Sequence, residues 1–265
     1  MKKIMFGIAA AIAVSALATD VQSSNVVGFN TQGWMNRGTY YMMGMQFETT
    51  AGADVKLNDI DFGDMTGPAY DAGNQFLLTA PQVQLAFPNR EGVTDYYFLS
   101  DGNETYDGPG WVDSAGNNAN PDVSAALGFW YRDTTSTKPS FTTAGQVVPD
   151  SPFEKTYNAS WRMLVSPFPI DTKLSDIDFG DIDSSAPAYD AGNAFLSTAT
   201  AIQVPFANRE GFTDYYYLSD GNATYDGPGW VDSAGNNVDI TNVVIPAGRG
   251  CWFKGNKALT VTFTK

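Results

Sequence analysis

One stretch of this chain occurs twice, nearly letter for letter: NREGVTDYYFLSDGNETYDGPGWVDSAGNN at 89–118 and NREGFTDYYYLSDGNATYDGPGWVDSAGNN at 208–237. Roughly nine positions in ten match, at a spacing close to the size of one small domain, which marks a tandem duplication. Such a chain must either fold twice or close one continuous sandwich from two halves. The segment QVVPDSP at 146–152 is the best boundary, and each half, about 115 residues, is long enough to bury its own core.

Inside the stretch, 95–99 and 214–218 are apolar or aromatic on both faces, which predicts a central strand covered on both sides. Asp101-Gly102-Asn103 and Asp107-Gly108-Pro109-Gly110 are turn chemistry, as is 113–118, with a short strand at Trp111-Val112 between them. Outside it, 25–35 and 40–47 read as strands, the latter matched by WRMLVSPF at 161–168. KLNDIDFGD at 56–64 and KLSDIDFGD at 173–181 place Leu57 with Ile60, and Leu174 with Ile177, three apart. That spacing predicts one helical turn plugging each core. Runs at 68–74 and 187–193 are turn-like, and 82–87 and 202–206 are strands. Each half closes on an aromatic strand, GFWY or GCWF, and Leu259 to Phe263 alternates as a half-buried strand.

Lys2 and Lys3, the apolar run 4–14 and the Ala16-Leu17-Ala18 site read as a secretory signal peptide over 1–18. The run is too short for a comfortable membrane span, and no later stretch could span as a helix. Without Lys2 and Lys3, 13 basic residues face 29 acidic ones, so the net charge moves from −14 to about −16. Such a surface repels nucleic acid and anionic lipid. Cys251 is the sole cysteine, so an internal disulfide is excluded, and the absence of His removes the usual general base and most zinc, copper and haem sites.

Asn25-Val26-Val27-Gly28-Phe29 after the signal, Leu57 with Asp59-Ile60, Trp111-Val112, and Gly250 with Trp252 ahead of an alternating strand form a recurrent grammar. In these motifs, over most of the mature chain, it resembles a family of secreted bacterial β-rich repeat proteins. The resemblance implies export and a β-rich repeat, and carries no established activity. The Gly-Val ending of that family is missing here, where the chain reads Phe263-Thr264-Lys265.

Three chemistries fit the duplicated loop. Calcium wants six to eight oxygens, and Asp101, Asn103, Thr105 and Asp107, repeated as Asp220, Asn222, Thr224 and Asp226, alternate oxygen-bearing side chains. Asp113 and Asp232 could close such a site, although Tyr106 and Val112 stand where an EF-hand loop needs Gly and Glu. The acids Asp59, Asp61 and Asp64, with Asp176, Asp178, Asp181 and Asp183, offer a second place. A carbohydrate surface needs flat rings beside hydroxyl-binding groups; Tyr106 and Trp111 beside Asp107 and Asp113, and Tyr225 and Trp230 beside Asp226 and Asp232, are the candidates. Paired carboxylates for glycoside hydrolysis could be Asp107 with Asp113 or Glu91 with Asp95. Against each stands a plainer role: turn formers for the acids, ion pairs for Arg90-Glu91 and Arg209-Glu210, and core anchors for the tryptophans. An outer-membrane barrel is a further alternative, which the lack of long alternating strands opposes.

The sequence therefore predicts an all-β protein of two tandem homologous β-sandwich-like domains with short helical turns, over 19–148 and 149–265 after the signal. It points to an exported, non-enzymatic binding or surface-assembly protein, secreted or at the cell surface. The expected partners are polysaccharide or further copies of the chain, not nucleic acid, with calcium as the one candidate ion. A calcium-stabilised surface-layer or filament subunit and a polysaccharide-acting enzyme are the alternatives.

Overall fold

The computed structural model describes residues 27–33, 36–70, 76–86, 92–102, 108–148, 152–189, 195–206, 211–221 and 227–264. The expected signal segment lies outside these residues. So do Arg90, Glu91, Asn103, Thr105, Tyr106 and Asp107 of the first loop, and Arg209, Glu210, Asn222, Thr224, Tyr225 and Asp226 of the second.

The fold is all-β, built from antiparallel sheets with only short helical turns. The first half contributes β1 (Val27–Gln32), β2 (Tyr40–Gly44), β3 (Phe47–Glu48), β4 (Val55–Lys56), β5 (Gln82–Ala86), β6 (Val93–Leu99), β7 (Gly110–Asp113), β8 (Asp122–Val123), β9 (Gly128–Arg132) and β10 (Phe141–Val147). The second contributes β11 (Phe153–Tyr157), β12 (Trp161–Val165), β13 (Thr172–Lys173), β14 (Ile177–Asp178), β15 (Thr200–Pro205), β16 (Phe212–Leu218), β17 (Gly229–Asp232), β18 (Val244–Ile245), β19 (Gly250–Lys254) and β20 (Leu259–Phe263). A five-stranded sheet, β2-β9-β5-β6-β7, lies over a three-stranded sheet, β1-β10-β3; the second half repeats this as β12-β19-β15-β16-β17 over β11-β20-β14. Each sheet draws its strands from one half, and so does each core cluster, among the described residues.

Alternation along the strands makes these layers. In β20, Leu259, Val261 and Phe263 are buried while Thr260 and Thr262 turn outward, as the period of two requires. Across the first sandwich, Phe129 of β9 meets Phe141 of β10 with ring centroids 5.5 Å apart; across the second, Tyr157 of β11 meets Phe253 of β19 at the same separation. The single 3-10 turns Leu57–Asp59 and Leu174–Asp176 bury Leu57 and Leu174 and lead to Phe62 and Phe179. Phe62 packs on Trp111, Tyr131 and Phe141, and Phe179 on Trp230 and Phe253. Each such ring removes enough apolar surface from water to stabilise the fold by about 1.5–3 kcal/mol.

The repeated strand is central in both sheets, between β5 and β7 and between β15 and β17. In β6, Tyr96 and Phe98 face the sandwich core, while Tyr97 and Leu99 meet Ala80 and Leu77 at the short helix α1 (Phe76–Thr79). Its counterpart α2 (Phe195–Thr198) covers Leu218 in the same way. No helix among the described residues is long and apolar enough to cross a membrane.

Candidate functional site

Where it is described, the duplicated stretch is a folding element. Trp111 and Trp230 are only 3% and 6% exposed. Trp111 lies edge-on to Phe62 and Phe98, and Trp230 edge-on to Phe179 and Tyr217. Rings held this way have no face to offer a sugar, so the stacking role expected of Trp111 and Trp230 is corrected: both anchor cores.

The acids beside them close turns. The Asp113 carboxylate accepts the backbone N–H groups of Ala115 and Asn117, each at 2.9 Å, and the Asn117 amide donates to its second oxygen at 3.0 Å. Asp232 does the same with Ala234 and Asn236. Burial pushes both carboxyls up, but these hydrogen bonds outweigh it and hold them below the usual carboxylate range. The turn needs Gly116 and Gly235 in the left-handed region, where a Cβ would also strike the rings of Tyr70 and Tyr189. Asp101 and Asp220 accept the N–H groups of Tyr70 and Tyr189 at 2.8 and 2.7 Å. Of the second acidic group, Asp61 and Asp178 cap Gly63 and Gly180, and Asp181 pairs with Lys257 at 2.7 Å. Among the described residues no three acidic or sulfur side chains gather as metal ligands would. Asp95 is held by the amides of Gln82 and Gln84 at 2.9 and 2.7 Å, and Asp214 by that of Gln203 at 2.7 Å. Burial, reinforced by Asp95 and Tyr40, pushes the neighbouring Tyr97 phenol up to about 12, against the opposing pull of Arg132.

What the sequence reading left without a role is the closing strand of each half. Gly128 and Trp130, like Gly250 and Trp252, are two apart and share the outer face of their sheets. Those faces pack on each other. A Cβ on Gly128 would lie 2.5 Å from Met163, and one on Gly250 would lie 2.9 Å from Met42. A Cβ on Gly44 would lie 2.2 Å from Val165. Met42 and Met163 are matching positions of β2 and β12, so the contact is nearly self-complementary, as in a two-fold dimer. Trp130 and Trp252 meet at this seam with centroids 5.9 Å apart. Polar ties flank them: Gly44 N–H donates to Gly248 O at 3.0 Å, Gln46 to Phe168 O at 2.6 Å, and Lys155 to Ala126 O at 2.6 Å.

A cleft of about 580 Å³ opens beside this seam, within the range of small-ligand sites. Trp130 and Gln84 enter it from the outer face of the first sheet, and Ala86, Val93 and Thr94 line it at the β5–β6 strand ends. Trp161, Arg162, Met163 and Trp252 come from the second half, with Lys155 beside them. Trp161 is 40% exposed. The seam is nearly symmetric but its sequence is not: Trp161 and Lys254 occupy the places of Tyr40 and Arg132. Asp122 is the one acid in the described lining, and it pairs with Lys56 at 2.6 Å. The available signal for this site was the Gly-x-Trp spacing, which puts a gap and a ring on one face; the partner of that face lies in the other half and is not local information.

Comparison with protein-family models, with curated proteins and with solved structures returns no match. The site therefore stands on its own geometry.

Proposed function

We propose that this chain is an exported, non-enzymatic binding protein that holds a segment of polysaccharide in the cleft between its two halves. One observation carries the reading: three tryptophans, Trp130, Trp161 and Trp252, line one preformed concavity together with Gln84, Thr94 and Ser124. Flat rings stack on the apolar faces of sugars, and amides and hydroxyls bond their edges. Export rests on the signal-like residues 1–18 and the acidic composition.

The non-enzymatic part rests on the acids. Glycoside hydrolysis needs two carboxyl groups facing one bond. In the described lining Asp122 stands without a second acid, and Asp95, Asp113 and Asp232 are engaged by amide and backbone donors.

A glycan array probed with the wild-type chain and with Trp161→Ala and Trp252→Ala tests this. Retention of one glycan class by the wild type and its loss in both variants is the expected result. No retained glycan, or variants that bind as the wild type does, rejects the cleft as the site.

Self-assembly is the second reading, favoured by β1. It is an edge strand whose Phe29 is 76% exposed, and such edges template pairing with another chain. Light scattering that rises with concentration for the wild type but not for Phe29→Lys would support it; a monomer at every concentration would reject it.

A further inference from the structure

We infer that β1 is a docking edge for a second copy of this chain: two copies pair β1 to β1, antiparallel, and close a two-fold dimer. This rests on the self-assembly reading above and names its contact and its limit.

The argument starts from how the molecule treats its other edges. Sheet edges attract further strands, and proteins blunt them by shortness, charge, bulges or cover. Among the described residues every other edge is blunted. β3, β4, β8, β13, β14 and β18 are two residues long. The chain folds back along β7 and β17 through the bridges Val112–Asn118 and Val231–Asn237. β2 and β12 lie at the seam between the halves, where Met43 bridges to Arg249 and Val165 packs at Gly44. β11, the counterpart of β1 in the second half, carries Glu154 and Lys155.

β1 has none of these devices. It is six residues long, VGFNTQ, without a charge or a proline. It pairs with β10 residue for residue from Val27–Gln146 to Gln32–Phe141, so no bulge turns it away. No described strand pairs with its other side. The strand is also held in place. The Asn30 amide donates to Gln46 Oε1 at 2.6 Å, and the Gln32 amide to Ala247 O of the second half at 2.7 Å. These bonds tie one face of β1 to the body and leave Phe29 exposed on the other, with Thr31 beside it.

Charge selects the occupant. The chain carries a net charge of −14, so two copies repel each other wherever their acids meet. β1 is a neutral strip, along which they can touch without burying a charge. An antiparallel edge is also its own complement: a two-fold axis sets the N–H groups of one copy opposite the C=O groups of the other. The two Phe29 rings then share one outer face, where cross-strand aromatic pairs form. One open edge per chain closes the assembly at two copies.

The test is sedimentation velocity of the full chain over a concentration series in high salt, which screens the net charge. The wild type should pass from monomer to dimer and stop there. Phe29→Lys should raise the dissociation constant at least about tenfold. Its circular dichroism melt should match the wild type, because residue 29 is exposed. Hydrogen exchange of the unaltered chain, below and above the midpoint of association, locates the contact without a variant. Exchange should slow over 27–32 and not over 153–157.

A monomer at every concentration rejects this inference together with the self-assembly reading. Growth beyond the dimer, or a dimer that protects 153–157 and not 27–32, overturns the β1 pair and leaves self-assembly standing. A dimer that Phe29→Lys does not weaken overturns it as well.

Discussion

Gly44→Ala isolates the contact between the two halves. At the extended end of β2 this change ordinarily raises stability by about 0.4–1 kcal/mol, because alanine restricts the unfolded chain. Here the new methyl would lie 2.2 Å from one Val165 methyl and 3.0 Å from the other, where ordinary contact begins at 3.4 Å. Valine is stiff at its first side-chain torsion and cannot swing clear. The two sheet faces must therefore separate by about 1 Å, which in a close-packed seam costs about 1–3 kcal/mol. Both sandwich cores lie away from this seam, since Gly44 and Val165 face outward from their sheets. Calorimetry should show the melting temperature falling by about 2–4 °C for each kcal/mol, with near-ultraviolet circular dichroism of the Trp130–Trp252 pair weakening first. Gly108→Ala is the control, since nothing lies within 4 Å of its Cβ position. A Gly44→Ala protein as stable as that control would refute the packing described for the seam.

Three further outcomes follow from the same geometry. Trp111→Ala and Trp230→Ala should each destabilise by about 3–5 kcal/mol in urea titrations, whereas exposed Trp161→Ala should stay within about 0.5 kcal/mol and show its effect in binding. Asp113→Ala and Asp232→Ala should each cost about 1–2 kcal/mol. Because both carboxyls are held below their ordinary range in the folded chain, that stability is complete above the unfolded value of about 3.9. It should disappear as pH falls below that value, so acid melts of wild type and variants should converge. Melting temperatures in calcium and in chelator should coincide, since Asp101, Asp113, Asp220 and Asp232 already accept backbone hydrogen bonds; a higher value in calcium would return the loop to the ion.

The fold was legible because its signals are local. The alternation of Leu259 to Phe263, the two-faced apolar run at 95–99 and the Leu57–Ile60 spacing each report a strand or turn within a few residues. The site was not, for two physical reasons. An aromatic residue in an acidic, Gly-rich stretch looks the same whether its ring faces sugar or core, and Trp111 faces core because Phe62, some fifty positions away, closes over it. Trp130, Trp161 and Trp252 belong to strands that read as ordinary core strands, and become a cleft only when the outer faces of the two halves meet. The Asp113 turn was legible as turn chemistry, and both copies close it with the same hydrogen bonds.

The proposed function places the working surface in the cleft between the halves. Hydrogen–deuterium exchange of the full chain, with and without the glycan that the array retains, compares that cleft with the duplicated loops directly. Slowed exchange at 128–130, 161–163 and 250–252, with 108–118 and 227–237 unchanged, is the predicted result; protection confined to the duplicated loops would contradict it.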